Sequence, residues 1–473
     1  MDGIVKTLTR FVKFSKRHRI DRGIVNALPY GNVIDLILNG GSVDDAIENL
    51  RRENAEKQKE MLDLLEKIIR ENKPQPDDIL VIGSGNVENI LTATNDIVVA
   101  EKHTVERSVS HGGSGTNYAL RLLAAGHDAY PILSIGDDQY GQEIISRIVQ
   151  QAKMDGASLG VLDFLNVDKY LSTEMSTPST TIVVSPNERK MYSEKPSGLA
   201  SFKKYMEKQI DRFQKIIEGY PSVVMIGHIF ADSGEYENID KGECTISLLT
   251  RYKSRSTICT NFGYSQLKHG SKFWEQHLPC IDIFQLNIME AKLFFSDDDT
   301  VLNLVDMMNW FTDRNINAVI TLDKFGAVAT HSDISKCAII GWPIIDRNEV
   351  VDATGAGDAF ASAILSIISS APRNRQNKLV KIDEELFRKA IKEGRIWSAE
   401  ACMHFGASTM LPNKSDIIEF SNANKASLPL ACNPISGCED ILKLIDIAFS
   451  EQVNVTKKNQ KNVTASKGSL TAS

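Results

Sequence analysis

The stretch 352–360, "DATGAGDAF", follows the apolar-flanked run "NEVVDA" and leads straight into "DAFASAILSII" at 358–368. Glycines and an alanine set before an aspartate and an apolar helical run predict a tight turn opening a buried helix. Backbone N–H groups at such a helix start lack partners, and the positive end of the helix dipole adds to them, so the turn is an anion site. With little or no side chain at Gly355, Ala356 and Gly357, an oxyanion can approach the backbone closely. Asp358 would project into the same pocket. A carboxylate beside an anion hole suits phosphoryl transfer: one group takes the proton of an attacking hydroxyl while the amides stabilise the transferring phosphate. Read alone, the same residues also fit a simple helix start with a first-turn charge.

Working outward, the texture from "DILVIGSGN" (78–86) onward alternates short apolar runs with helical patterns. Strands are expected at 79–82, 129–135, 223–226, 256–260, 281–286, 318–321 and 337–340, with helices between several of them, as at 118–125, 141–152 and 300–314. That alternation predicts an α/β architecture with a mostly parallel central sheet and helices on both faces. Two stretches break the rhythm. "NDIVVAEKHTVERSVS" (95–110) and "STTIVVSPNERKMYSE" (179–194) are β-rich with polar alternation, and they predict a small antiparallel flap beside the main sheet.

The flanks read differently. Residues 1–76 form a helical N-terminal extension, with Ile47, Leu50, Met61, Leu64, Leu65, Ile68 and Ile69 as the apolar stripe of a charge-dense helix that ends at "KPQPDD". The basic start, "MDGIVKTLTRFVKFSKRHRIDR", reads as a solvated helix start, with a surface-seeking or organelle-targeting segment as the alternative. Residues 77–415 carry the strand–helix pattern, and 416–473 form a C-terminal extension ending in a polar tail expected to be disordered.

The chain has 473 residues, a net charge of −7, 42% hydrophobic residues and seven cysteines. The negative balance gives no footprint for nucleic acid. No apolar run approaches the roughly 18 residues of a transmembrane helix. Dispersed, odd-numbered cysteines with no CxxC pair point to reduced thiols and a cytoplasmic location.

"VVDATGAGDAFASAIL" (350–365) resembles the C-terminal signature of the ribokinase/PfkB family of carbohydrate kinases. About 240 residues upstream, "HGGSGTNYALRLLAAGHDAYPILSIGDD" (111–138) resembles that family's N-terminal motif, with Gly112, Gly113, Asn117, Gly126 and Gly136 at the family's spacing. The resemblance covers about residues 78–413. It implies a ribokinase-like three-layer αβα sandwich, with 95–110 and 179–194 as the lid, and an ATP- and magnesium-dependent kinase acting on a sugar or sugar-like alcohol. Asp358 would be the catalytic base, and Gly355, Ala356 and Gly357 the anion hole. Gly112, Gly113 and Asn117 would line the acceptor site. In "QLNIMEAKLFF", Asn287 and Glu290 match the family's Asn-x-x-Glu, with Glu290 holding magnesium through water. A bare NxxE is otherwise a helix-capping motif. Thr321, Gly326 and Gly406 match nucleotide-site positions. Asp352 and Thr354 match positions beside a monovalent cation, so K+ is a candidate. A homodimer through the lid or the N-terminal helices also follows.

Three positions depart from the family pattern. Glu88 in "GSGNVENI" stands where an aspartate usually grips substrate hydroxyls. Asp323 interrupts the usual Thr-x-Gly, bringing a carboxylate toward the triphosphate. Arg395 stands where many members carry asparagine by the adenine. His228 follows a strand toward the acceptor, but a lone histidine there is read as structural. The alternatives are a nucleoside kinase, such as an adenosine kinase, and a catalytically weak binding or regulatory protein of the same fold.

Overall fold

Short apolar runs without polar alternation build the centre of the molecule. β1 (Ile79–Gly83) is buried at all five positions, as a strand covered on both faces must be. It lies parallel to β4 (Ala129–Leu133) on one side and β7 (Val223–Ile226) on the other. The parallel run continues through β8 (Thr257–Asn261), β9 (Ile283–Asn287) and β10 (Ala318–Thr321). Antiparallel strands β11 (Ala327–Thr330), β12 (Cys337–Gly341) and β13 (Ala431–Pro434) complete a nine-stranded sheet in the order β13-β12-β11-β10-β9-β8-β7-β1-β4. This is a ribokinase-like α/β fold. The computed structural model describes residues 55–71, 78–95, 102–185, 188–194, 196–234, 241–334, 336–372 and 379–447, with Phe11, Glu48 and Arg52.

Four further strands form a second sheet, in the order β3-β2-β5-β6: β2 (Asn86–Ala93), β3 (Val105–Gly112), β5 (Ser179–Ser185) and β6 (Glu188–Ser193). The expected lid at 95–110 therefore has a partner the sequence pattern hides, since β2 leaves β1 after only two residues and reads as its continuation. β2–β3 and β5–β6 are antiparallel hairpins, and β2 and β5 join them as a parallel pair. Residues 96–101 of the expected lid lie outside the described residues.

The helices that matter for the site are few. α1 (Ala55–Glu71) carries part of the predicted N-terminal stripe, with Met61 and Leu65 buried; the basic segment 1–22 lies outside the described residues apart from Phe11. α2 (Ser114–Ala124) is buried from Gly115 through Ala124, packed against β1, β4 and α5 (Ala356–Ser369). The remaining ones are α3 (Gln139–Met154), α4 (Ile288–Phe294) and α6 (Glu384–Cys402), the last packed along α5. Each Leu, Ile or Phe withdrawn from water between these layers contributes roughly 1.5–3 kcal/mol, so a helix buried on all sides holds its few polar residues in fixed places.

Residues past 415, set apart in the sequence as an extension, take part in the main sheet. β13 pairs with β12, and helical residues 435–447 bury Ile435, Cys438, Leu442 and Ile445 in the principal core. The short "ACNP" strand has neither the length nor the alternation that marks a strand in sequence. The polar tail from 448 lies outside the described residues.

Candidate active site

Parallel sheets bind ligands at the carboxyl ends of their strands, at the point where strand order reverses. Here that point is β1, flanked by β4 and β7, and Asn261, Asn287 and Thr321 close the carboxyl ends of β8, β9 and β10.

α5 begins there. Gly355, its N-cap, sits at φ 79° and ψ 4°, the left-handed region that glycine alone occupies freely. A Cβ on Gly355 would lie 2.6 Å from the Cβ of Ala407. Gly357 has nothing within 4 Å of the place a Cβ would take, so its side of the helix tip opens on the cleft. Gln285 Nε2 donates to its carbonyl at 3.1 Å. The Ala356 amide turns back to Ala353 O at 3.2 Å, a change from the expected trio of free amides. Helix geometry leaves the first-turn amides of Gly357 and Asp358 for an anion.

Asp358 stands in that first turn. Its Oδ2 accepts from Asn117 Nδ2 at 2.6 Å. Burial pushes its carboxyl above the usual range, opposed by the Asn117 bond, the Arg121 charge and the Tyr118 hydroxyl. Tyr118 donates to Asn261 Oδ1 at 3.1 Å. Tyr118, Arg121, Asn261 and Gln285 were not singled out in the sequence. Polar residues ending apolar strands, and one arginine inside "NYALRLLAA", were the available signals.

Asn287 and Glu290 form the capping box of α4: Glu290 N donates to Asn287 Oδ1 at 2.9 Å, and Asn287 N to Glu290 Oε2 at 2.7 Å. The cap also builds a wall of the pocket. Burial lifts the Glu290 carboxyl to about 7, and the Asp358 charge adds to this against the Asn287 and Asn261 hydrogen bonds. The buried Glu290 carboxyl, with the Asp358 charge raising it further, gives an all-oxygen donor set that a magnesium ion would relieve. Among the described residues no group of three or more His, Cys, Asp or Glu could hold a metal ion.

Beside the lid, Gly113 (φ 88°) caps α2, where a Cβ would meet Ser84 O at 2.6 Å and Asn86 N at 2.9 Å. Glu88 lies on lid strand β2, half-buried, with its carboxylate 3.5 Å from the Cβ position of Gly112. Register puts Asn86, Glu88, Ser110, Gly112, Thr180 and Ser193 on one lid face. Asn86 Nδ2 donates to Thr180 Oγ1 at 3.3 Å, and Thr180 and Ser193 hydroxyls lie 3.2 Å apart.

At the β10–β11 end of the sheet, Thr321 ends β10, and Gly326 (φ 90°) closes the hairpin beneath Gly341 O. Asp323, at φ 51°, occupies the turn between them. Asp352 Oδ1 accepts from Thr354 N and Oγ1 at 2.9 and 2.7 Å, and its Oδ2 accepts from Gly406 N at 3.0 Å. Burial, with Asp323 and Asp352 adding charge, raises the Cys402 thiol to about 11. Arg395 serves the scaffold: its guanidinium donates to the carbonyls of Trp342, Ser427 and Leu428. His228 is stacked on Phe230 and bonded to Ser265 Oγ at 2.8 Å, a structural placement.

Residues 268–414 match the model of the pfkB family carbohydrate kinases. The chain thus has the ribokinase-like fold with a pfkB signature in its C-terminal half. The ribokinase of Thermotoga maritima superposes with a TM-score of 0.51 at 16% identity, covering 73% of this chain and 99% of its own. The nucleoside kinase of Methanocaldococcus jannaschii, an archaeal member of the ribokinase family, gives 0.53 at 15%, covering 74% and 99%. The ribokinase of Giardia lamblia gives 0.53 at 15%, covering 72% and 99%. No curated protein matches the chain. The pfkB match takes in Asn287, Glu290, Thr321, Gly326, the 352–358 loop and Gly406. Glu88, Gly112, Gly113 and Asn117 lie outside it, and the Asn117–Asp358 bond brings the two groups together.

Proposed function

We propose that the chain is an ATP-dependent phosphotransferase that moves the γ-phosphate to a hydroxyl of a sugar or sugar-like alcohol. The observation that carries this reading is the Asn117–Asp358 pair at the glycine-capped tip of α5. Asp358 accepts the proton of the attacking hydroxyl, the alcohol oxygen bonds to the γ-phosphorus, and the bond to ADP breaks. The proton leaves Asp358 after the phosphorylated product departs. Burial, which raises the Asp358 carboxyl above the usual carboxylate range, makes it a better proton acceptor for that exchange. Asn117 gives its amide to Asp358, and its buried Oδ1, unpartnered among the described residues, is left to accept from the substrate. The first-turn amides of Gly357 and Asp358, beside the glycine-capped tip, hold the transferring group. Magnesium, when bound, neutralises phosphate charge, and Glu290 with Asn287 would hold it through water. Thr321, Gly326 and Gly406 shape the nucleotide side.

The lid face of Asn86, Glu88, Ser110, Thr180 and Ser193 carries hydroxyls, an amide and a carboxylate but no aromatic ring, which favours a polyol over a nucleoside base. Exposed Val105, Val109 and Tyr192 on the lid support a homodimer through that sheet, readable by analytical ultracentrifugation. Seven free cysteines and the lack, among the described residues, of a helix fit to cross a membrane accord with a cytoplasmic setting. The test is a coupled ADP-release assay across sugars, polyols and nucleosides. Turnover with a polyol supports the reading, turnover only with nucleosides redirects it, and nucleotide binding without turnover leaves a regulatory protein of this fold.

A further inference from the structure

α2 is buried along nearly its whole length and carries one charged residue, Arg121, which keeps 3% of its surface. Burying a guanidinium is costly unless it is paired and hydrogen-bonded, so its surroundings show what holds it there. Nη2 donates to Ala407 O at 2.7 Å. Nε and Nη1 find no hydrogen-bond partner among the described residues. The acidic groups whose charge reaches it are Asp358 and Glu400, followed by Cys402. Burial lowers the guanidinium's pKa, and those charges oppose the fall.

Ala407 is also the residue that closes under Gly355, where no side chain fits. Its neighbours are fastened too: Gly406 N donates to Asp352 Oδ2 at 3.0 Å, Arg147 donates to Ser408 O, and Ser408 Oγ donates to His111 O at 3.2 Å. One turn before Arg121, on the same face of α2, Asn117 donates to Asp358. A single helix face therefore grips both the proton acceptor and the turn on which the anion-hole glycines rest.

We propose that Arg121 is a positioning residue for the transfer step, a resident cation that clamps the 406–408 turn beneath Gly355 and supplies the fixed positive charge behind Asp358. This rests on the phosphotransferase reading above. It is tested on the full chain with Arg121→Met, which keeps bulk and loses charge, and Arg121→Lys, which keeps charge, each checked for folding by thermal melt. ADP release and binding of a fluorescent ADP analogue with magnesium are measured for each.

Arg121→Met should lose at least about 100-fold in kcat, the scale of removing one preorganised electrostatic group, with a much smaller change in KM for ATP. Arg121→Lys should recover part of the loss. An Arg121→Met chain with wild-type kcat and nucleotide affinity would overturn the proposal. Wild-type binding of ADP without turnover on any alcohol overturns the phosphotransferase reading instead. The Arg121 clamp is then judged by nucleotide affinity, which should fall in Arg121→Met and return in Arg121→Lys. An Arg121→Met chain that fails to fold while Arg121→Lys folds and equals the wild type supports the charge requirement; a lysine variant that folds but stays inactive overturns it.

Discussion

Asn117 and Asp358 are separated by 241 positions in the chain, yet Nδ2 of one lies 2.6 Å from Oδ2 of the other. The bond joins the two halves of the molecule at the site. Asn117 is set by a helix buried on all sides, and Asp358 by a helix whose N-cap must be glycine.

Replacing Asp358 by Asn keeps the shape and the Asn117 contact while removing the proton acceptor. Turnover should fall by about 10²–10⁴-fold while nucleotide still binds, as read by single-turnover kinetics and titration calorimetry. Stability should move the other way. Burial lifts the Asp358 carboxyl above its unfolded value, so the folded state holds the proton more tightly. The cost of ionising it is absent at low pH, and it grows as pH climbs from the ordinary carboxylate range through the raised folded value. Asp358→Asn should therefore melt at an equal or higher temperature than wild type at pH 8.

With Asn117→Ala, one of the hydrogen bonds opposing the effect of burial on Asp358 is gone. The acid limb of the kcat/KM profile should move to higher pH, and kcat should fall by about 10–100-fold. An unchanged limb would show that Asp358 is not the group being titrated.

Gly355 and Gly357 separate support from function. At Gly355 a methyl group meets Ala407 at 2.6 Å, in a left-handed backbone. Gly355→Ala should cost about 1–3 kcal/mol in chemical denaturation and impair turnover. At Gly357 a methyl group meets nothing within 4 Å. Gly357→Ala should fold like wild type and lose kcat/KM for ATP, because the methyl group occupies the approach to the amides.

His228 should matter for stability and not for acceptor choice. Ser265 Oγ donates to Ile229 O at 2.8 Å, so it accepts from His228 Nε2, and that network assigns the imidazole as the neutral Nε2–H form. Burial lowers its pKa to about 4. Between the unfolded value near 6.5 and about 4, the unfolded chain binds more protons, so this contribution is present above 6.5 and lost as pH falls toward 4. The stability gap between wild type and His228→Gln should narrow over that window in urea titrations. The two should share one substrate profile.

Arg395→Ala leaves the carbonyls of Trp342, Ser427 and Leu428 without the donors that now reach them. A loss of about 2–4 kcal/mol is expected, with KM for ATP changed by less than about threefold. A large KM change at full stability would place Arg395 at the nucleotide instead.

Much of this was legible in the residues. Parallel strands announce themselves as apolar runs, and the Gly-x-Gly-Asp at a helix start carries its geometry with it. Three things were not. β2 follows β1 so closely that no turn signal separates them. β13 is four residues with mixed burial, too short to show a period. Arg121 reads as an ordinary surface charge on an amphipathic helix, because nothing local tells that α5 will cover that face. The misses concern contacts beyond the local pattern, whereas the glycine turn at Gly355 and the Asn287–Glu290 capping box are local geometry that the residues themselves carry.

The placement of β13 carries a consequence for synthesis. Until residues 431–434 emerge, β12 presents an apolar, hydrogen-bond-hungry margin through Ile339 and Ile340. The growing chain thus carries a sticky seam until that strand is made, and a ribosome halted shortly before that point would release a protein inclined to pair with its neighbours.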